Sequence, residues 1–269
     1  MAIHPTAIID PKAELDASVE VGPYCVIDAH VRIAAHCRLY HGVYVTGHTD
    51  IQEGCELHPG VIVGHAPQDT KYHGERSFCR IGRQVILREH VTVHRGTIPD
   101  SATEIGDRCF LLAGSHVGHN CRIGQGVTLI NNVLLGGHVE IGERANLGGA
   151  AGVHQFVRIG ELVMVAGIAR VIQDIVPFAL VGPDGRIAGV NRIGLRRAGW
   201  THAQVHEIRE AYRVLFQQRG NHAAAVERLA ALVRTAAGER LLEFVRAASR
   251  HGLAGRCRGR GAPPVEEKP

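Results

Sequence analysis

The stretch LLAGSHVGHNCRIG, residues 111–124, holds His116 and His119 three apart, Asn120 beside the second, and Cys121. An imidazole titrates near neutrality, which suits it to take a proton from a substrate hydroxyl. The same residue types serve as metal ligands, and a cysteine can supply a thiolate nucleophile. A third reading is that the stretch is packing material in a repeat. The elements that carry these side chains decide among the three.

A repeat sets those elements. Stepping by six from Ile3 to Val171, 26 of 29 positions are Ile, Leu or Val, and the exceptions are Asp69, Glu75 and Pro99. Four residues after each aliphatic the side chain is small, as at Cys25, Cys37, Cys55, Cys109, Ser115 and Cys121, and glycine often follows the aliphatic directly. This pattern resembles the hexapeptide repeat of left-handed parallel β-helices. Three short strands and three corners make a triangular coil of eighteen residues, with the aliphatic filling the prism and the small residue packed near a corner. Coils stacked about 4.8 Å apart give a prism of roughly nine coils, on the order of 40 Å tall. The fold class expected is therefore mainly β, a left-handed parallel β-helix with a C-terminal α-helical region.

The frame places five of the seven cysteines at the small interior position, where they pack as compact hydrophobes instead of acting as ligands. Asp69 and Glu75 fall in the polar segment GHAPQDTKYHGERSFCR, and Pro99 in a six-residue excursion, GTIPDSAT. Loops leaving a rigid prism are where binding residues collect. The expected domains are 1–177, the prism; 178–255, loop and helices; and 256–269, a disordered tail. FALVGPDGRIAGVNRIGLRRAGW reads as a loop-rich transition. Three amphipathic helices follow, with Thr201 as an N-cap and with Gly220–Asn221 and Gly238 as breaks.

Residues one coil apart lie above one another. By that period His94, His119, His138 and the pair His154/Gln155 form a vertical stripe along one edge. A polar, titratable wall of this kind suits a substrate cleft, and in prisms that trimerise an edge stripe faces a neighbouring subunit.

Composition narrows the remaining classes. No apolar run reaches the roughly 18–20 residues of a membrane helix, and the N-terminus carries no secretory pattern, so a cytoplasmic protein with reduced thiols is expected. Between Arg192 and Arg260 there are 14 Arg and five Glu with no Lys or Asp, a net of +9 in a chain of net +4. That basic third suits either an acidic partner or a plain solvated helical surface. Nucleic acid is not the expected partner, because base-stacking aromatics are scarce, 4% of the chain.

The ordered set QDTKYHGE, VTVHRGT, LLAGSHVGHNCRIG, GGHV, GVHQFVRIG and GVNRIGLRRAG resembles the acyl-carrier-protein–UDP-N-acetylglucosamine O-acyltransferase family, which begins lipid A synthesis. The resemblance covers about residues 3–255. It implies a homotrimer, no cofactor and no metal, with UDP-N-acetylglucosamine and a 3-hydroxyacyl acyl carrier protein as substrates. It implies His119 as general base and the Gly137 N–H as oxyanion donor. Gln68, Asp69 and Lys71 match the loop that contacts substrate, and His94 matches a residue on the nucleotide side. His116 sits beside the base. His138, His154 and Gln155 match cleft positions, and Asn191 and Arg197 match residues near the uridine and phosphates. Gly167 matches the position that limits acyl length, where glycine implies a longer chain of about fourteen carbons. The family's acidic carrier makes Arg209, Arg213 and Arg219 candidate docking charges.

Two departures stand out. Asn120 replaces the Asp common after the base, and a neutral amide cannot stabilise an imidazolium by charge. GPDG at 182–185 differs from a Gly-Asn-rich family segment. The alternatives are an N-acyltransferase acting on a 3-amino UDP-sugar and, more remotely, a γ-type zinc carbonic anhydrase.

Overall fold

The computed structural model describes residues 2–216 and 222–255. The expected break at Gly220–Asn221, Arg219 and the tail 256–269 lie outside the described residues. Short strands, most of two residues and none longer than four, alternate with corners from Ala2 to Val171, and every third strand pairs in parallel with the one a coil below. The result is a left-handed parallel β-helix with three faces. The first face runs from Ala2–Ile3 to Met164–Val165, the second from Ile8–Ile9 to Arg170–Val171, and the third from Glu14–Leu15 to Arg158–Ile159.

The pairing register reports the insertions. It is eighteen residues in ordinary coils, as Ala2 with Glu20. It becomes thirty across the polar loop, Leu57 with Leu87, so that loop adds twelve residues. It is twenty-four across the excursion near Pro99, Leu87 with Leu111, which adds six. The frame resumes inside both interruptions. Cys79 and Thr103, four residues after Glu75 and Pro99, are fully buried at the small position. On the third face the outward residues alternate in charge from Glu14 and Arg32 to Glu140 and Arg158. Arg32 Nε lies 3.2 Å from Glu14 and Arg80 Nη1 2.7 Å from Glu104. A coil slipped by one position would lose these opposite-charge pairs and turn its aliphatic outward.

The first face runs on past Pro177. Ala179–Val181 pairs in parallel with Met164–Val165, and Ile187–Val190 pairs back on it antiparallel. The GPDG segment is the turn between them, with Gly185 N–H bonded to Gly182 O at 3.0 Å. The transition is thus a hairpin followed by a short helix, more regular than its glycine content suggests, because Ile187 and Leu195 are buried.

The helices are α1 (Arg192–Arg197), α2 (His202–Phe216), α3 (His222–Leu232) and α4 (Ala236–Arg246). Thr201 caps α2 reciprocally with Gln204: Gln204 N–H donates to Thr201 Oγ1 and Thr201 N–H to Gln204 Oε1. Gly238 is not a break. It is the third residue of α4, whose N-cap is Thr235, and a Cβ there would lie 2.8 Å from Val233 Cβ. Close packing, not termination, explains that glycine. The helices are tied to the prism by Tyr212 Oη donating to Pro177 O at 2.5 Å. Asp174, fully buried, adds a second tie: it pairs with Arg158 at 2.8 Å and bridges to Leu253.

Candidate active site

The expected stripe resolves into three neighbouring columns on the edge between the second and third faces. His94, Gly118, Gly136 and His154 follow the aliphatics directly. His119, Gly137 and Gln155 form the next column, and Asn120, His138 and Phe156 the last. Above the His94 coil each corner of the edge is tight and its last residue lies in the left-handed region, at φ +60° for Asn120 and +58° for His138. Asparagine tolerates that conformation better than most residues. Beside this edge on the second face lies a cleft of about 500 Å³, lined among others by Gln68, His94, His116, His119, Gly137 and Gln155. Leu134 and Ile172 add apolar surface to it.

The hydrogen bonds around Asn120 fix the imidazole. Asn120 Oδ1 accepts from Thr97 N–H at 2.9 Å, and its Nδ2 donates to Ser101 Oγ at 2.8 Å. Because the Thr97 N–H can only donate, the amide orientation is settled. The bond between His119 Nδ1 and Asn120 Oδ1, 3.0 Å, therefore places a proton on Nδ1. Nε2 is left with its lone pair toward the cleft. A neutral amide thus sets tautomer and orientation, the two tasks that need no charge. Asn120 N–H in turn donates to Thr103 Oγ1 at 2.7 Å.

Gly137 lies directly over the ring. A Cβ at residue 137 would come within 2.5 Å of His119 Cε1, closer than any real contact. Among the described residues the Gly137 N–H has no hydrogen-bond partner, so it is available to an oxyanion beside the base. His138 packs edge-on against His119 with ring centroids 5.2 Å apart, and it stacks on Phe156 at 4.6 Å.

Electrostatics divides the histidines. Burial, with the neighbouring imidazoles adding to it, pushes His94 down to about 4. Burial also lowers His116, which is bonded to Thr92 Oγ1 at 2.7 Å. It lowers His138 as well, helped by the nearby His119 ring and the Arg250 guanidinium. At neutral pH these three act as neutral hydrogen-bonding groups. Burial raises the Cys121 thiol to about 12 and that of Cys109 to about 11, and their Sγ atoms donate to Gly136 O and Gly124 O at 3.1 Å. Neither is a nucleophile at neutral pH.

The polar loop reaches the same place. Asp69 Oδ2 lies 3.7 Å from His119 Nε2, and Asp69 Oδ1 accepts from Lys71 N–H at 3.0 Å. Tyr72 Oη accepts from Arg95 at 2.8 and 3.1 Å, and Arg95 Nη1 donates to Gly64 O at 2.8 Å, which clamps the loop to the prism. Tyr72 and Arg95, like the Asn120 holders Thr97, Ser101 and Thr103, were not singled out from the sequence. Tyr72, Arg95 and Thr97 sit inside the motifs QDTKYHGE and VTVHRGT, and Thr103 is a small position of the frame, so a signal existed for these four but not for Ser101.

Three other expected residues lie elsewhere in the chain. Asn191 caps α1, accepting from Gly194 N–H at 3.0 Å and donating to Leu162 O at 2.8 Å. Arg197 is exposed in the last turn of α1. Gly167 sits one coil above Gly149 on the edge between the first and second faces, where a Cβ would meet Gly149 O at 3.3 Å and Gly149 N at 3.8 Å. None of the three lines the cleft at His119. Lys71 is exposed on the loop, and His154 stands at the cleft's upper end.

A parallel β-helix of hexapeptide repeats with an oriented histidine beside a free backbone N–H defines a class, the hexapeptide-repeat transferases. Residues 102–137 match the family described as bacterial transferase hexapeptide (six repeats), and residues 174–254 match UDP N-acetylglucosamine O-acyltransferase, domain 2. The chain is 42% identical over 229 residues to the acyl-[acyl-carrier-protein]–UDP-N-acetylglucosamine O-acyltransferase of Synechocystis, covering 85% of this chain and 83% of that one. It is 35% identical over 263 residues to the enzyme of that name from Agrobacterium fabrum, covering 96% and 97%. Among solved structures, LpxA from Acinetobacter baumannii superposes with a TM-score of 0.90 at 33% identity, over 94% of this chain and all of that one. The chain belongs to the acyl-[acyl-carrier-protein]–UDP-N-acetylglucosamine O-acyltransferase family. These likenesses favour neither the N-acyltransferase nor the zinc alternative.

Proposed function

We propose that this protein transfers a 3-hydroxyacyl group from acyl carrier protein to the 3-hydroxyl of the GlcNAc unit of UDP-N-acetylglucosamine. The observation that carries the reading is His119, with Nδ1 committed to Asn120 and Nε2 free in the cleft against Gly137. Nε2 takes the proton from the sugar hydroxyl as its oxygen attacks the thioester carbonyl. The Gly137 N–H supports the developing oxyanion. The C–S bond then breaks, and the imidazolium returns its proton to the departing thiolate. The products are the sugar ester and the carrier thiol. Gln68, His94, His116, His154 and Gln155 bind substrate along the cleft, and Lys71 and His138 contact it from the cleft's margins. The test is purified protein with UDP-N-acetylglucosamine and 3-hydroxyacyl carrier proteins of several lengths. Absence of an acylated sugar nucleotide would sink the reading.

The protein acts as a cytoplasmic homotrimer with its sites between subunits. Asn191, Arg197 and Gly167 lie away from their own chain's cleft and serve that of a neighbour. Gly167 sets acyl length, so Gly167→Met shifts preference from about fourteen carbons toward shorter chains, read by competing carriers in one assay. Equal preferences in the two proteins would remove Gly167 from the specificity machinery. The carrier docks on exposed arginines of α2. Arg213 is partly neutralised by Glu210 at 2.8 Å, which leaves Arg209 as the stronger charge of the two. Raising salt from 50 to 500 mM is expected to raise KM for the carrier several-fold while leaving KM for the sugar nucleotide nearly unchanged. A carrier KM indifferent to salt would contradict that docking face.

A further inference from the structure

General-base catalysis leaves a positive imidazolium in a partly desolvated cleft at the moment of attack. Something must compensate that charge, and the group bonded to Nδ1, Asn120, is neutral. The other rings around His119 do not help. His94, His116 and His138 carry no negative charge, and each would repel a cation if protonated. Among the described residues, the carboxylate within 4 Å of His119 is Asp69, 3.7 Å from Nε2.

We infer that Asp69 is the counter-charge of His119, a positioning residue that compensates the imidazolium across the cleft from the polar loop. The inference rests on the function proposed above and adds a role to that loop. At 3.7 Å the carboxylate is too far to hydrogen-bond Nε2, so the lone pair stays open to the substrate hydroxyl. It is close enough for Coulomb attraction to matter once a proton arrives. The carboxylate is held in place, since Oδ1 accepts the Lys71 N–H and the loop is clamped by Tyr72 to Arg95. Both side chains are largely screened from water, at 10% and 22% exposure. The arrangement divides the work: Asn120 fixes the tautomer, and a residue fifty positions before His119 supplies the charge.

Three variants test this: Asp69→Asn, Asn120→Asp and the pair together. Asn at residue 69 keeps an oxygen for the Lys71 N–H, and Asp at residue 120 tolerates the left-handed corner. Asp69→Asn removes the negative charge, so the acid limb of kcat moves down by about half to one pH unit and kcat at its plateau falls about ten- to a hundredfold. Asn120→Asp adds a charge, so the acid limb moves up by a similar amount. The double variant recovers most of the kcat lost by Asp69→Asn, because the charge is restored on the other side of the ring. An NMR titration of His119 in the same variants, without substrate, is expected to show midpoint shifts of the same signs. Those shifts do not depend on which substrate the cleft takes. If Asp69→Asn raises only KM, leaves the acid limb and the His119 titration in place, and is not rescued by Asn120→Asp, Asp69 merely binds substrate and the inference fails. A wild-type protein inactive on UDP-N-acetylglucosamine would overturn the proposed function instead.

Discussion

Replacing His119 by alanine is expected to lower kcat about 10²- to 10⁴-fold, the usual contribution of a positioned base. KM for the sugar nucleotide should change little, because the lost interaction develops only as the proton moves. The acid limb of kcat should vanish with the group that titrates it. Stability should fall only modestly. His119 is 8% exposed, and its ring packs on His138 and under Gly137 without filling the prism. Thermal melting, run beside the kinetics, separates lost chemistry from lost fold. A variant that turns over at more than a tenth of the wild-type rate would remove His119 from the role of base.

The Gly137→Ala variant should be nearly as damaging, although it adds one methyl group. Its Cβ would sit within 2.5 Å of His119 Cε1 and 3.0 Å of Cδ2. The backbone has little freedom to retreat. Gly137 O accepts from Phe156 N–H at 3.0 Å, and His119 O accepts from His138 N–H at 2.8 Å, so both corners are tied into the stack. The imidazole must swing away, which breaks its bond to Asn120 and moves Nε2 from the cleft. The oxyanion donor shifts with it. A loss of about 10²–10³ in kcat is expected, comparable to deleting one oxyanion donor. Gly189→Ala provides the contrast, since a Cβ there meets nothing within 4 Å, and its activity should stay within about twofold of wild type. If Gly137→Ala is equally mild, the ring does not need its present position.

How much of this was legible in the sequence follows from the difference between periodic and non-periodic chain. In a prism of eighteen-residue coils, covalent counting fixes which residues lie above one another. The Ile/Leu/Val frame therefore located the faces and the buried cysteines, and it placed His119 beside the glycine of the coil above. The eighteen-residue register puts Gly137 over His119 and His138 over Asn120, so the stripe is split over neighbouring columns. His138 stacks with Phe156 and not in line with His119. At Gly238 the sequence suggested a stop, and Thr235 capping one turn earlier made it the opposite.

The sequence by itself determined the β-helix, the edge that bears the histidines, and the interior fate of the cysteines, because each depends on a repeat that strand pairing must obey. The tertiary structure alone decided what surrounds His119. Asp69 reaches it from a twelve-residue insertion with no period, held by Tyr72 and Arg95. Thr97 and Ser101 come from the second insertion to orient the Asn120 amide. Asn191 is occupied by a helix end, and Gly167 stands on another edge. Those placements depend on where non-repeating loops fold back onto the prism, and hydrogen bonds between residues distant in the chain settle that.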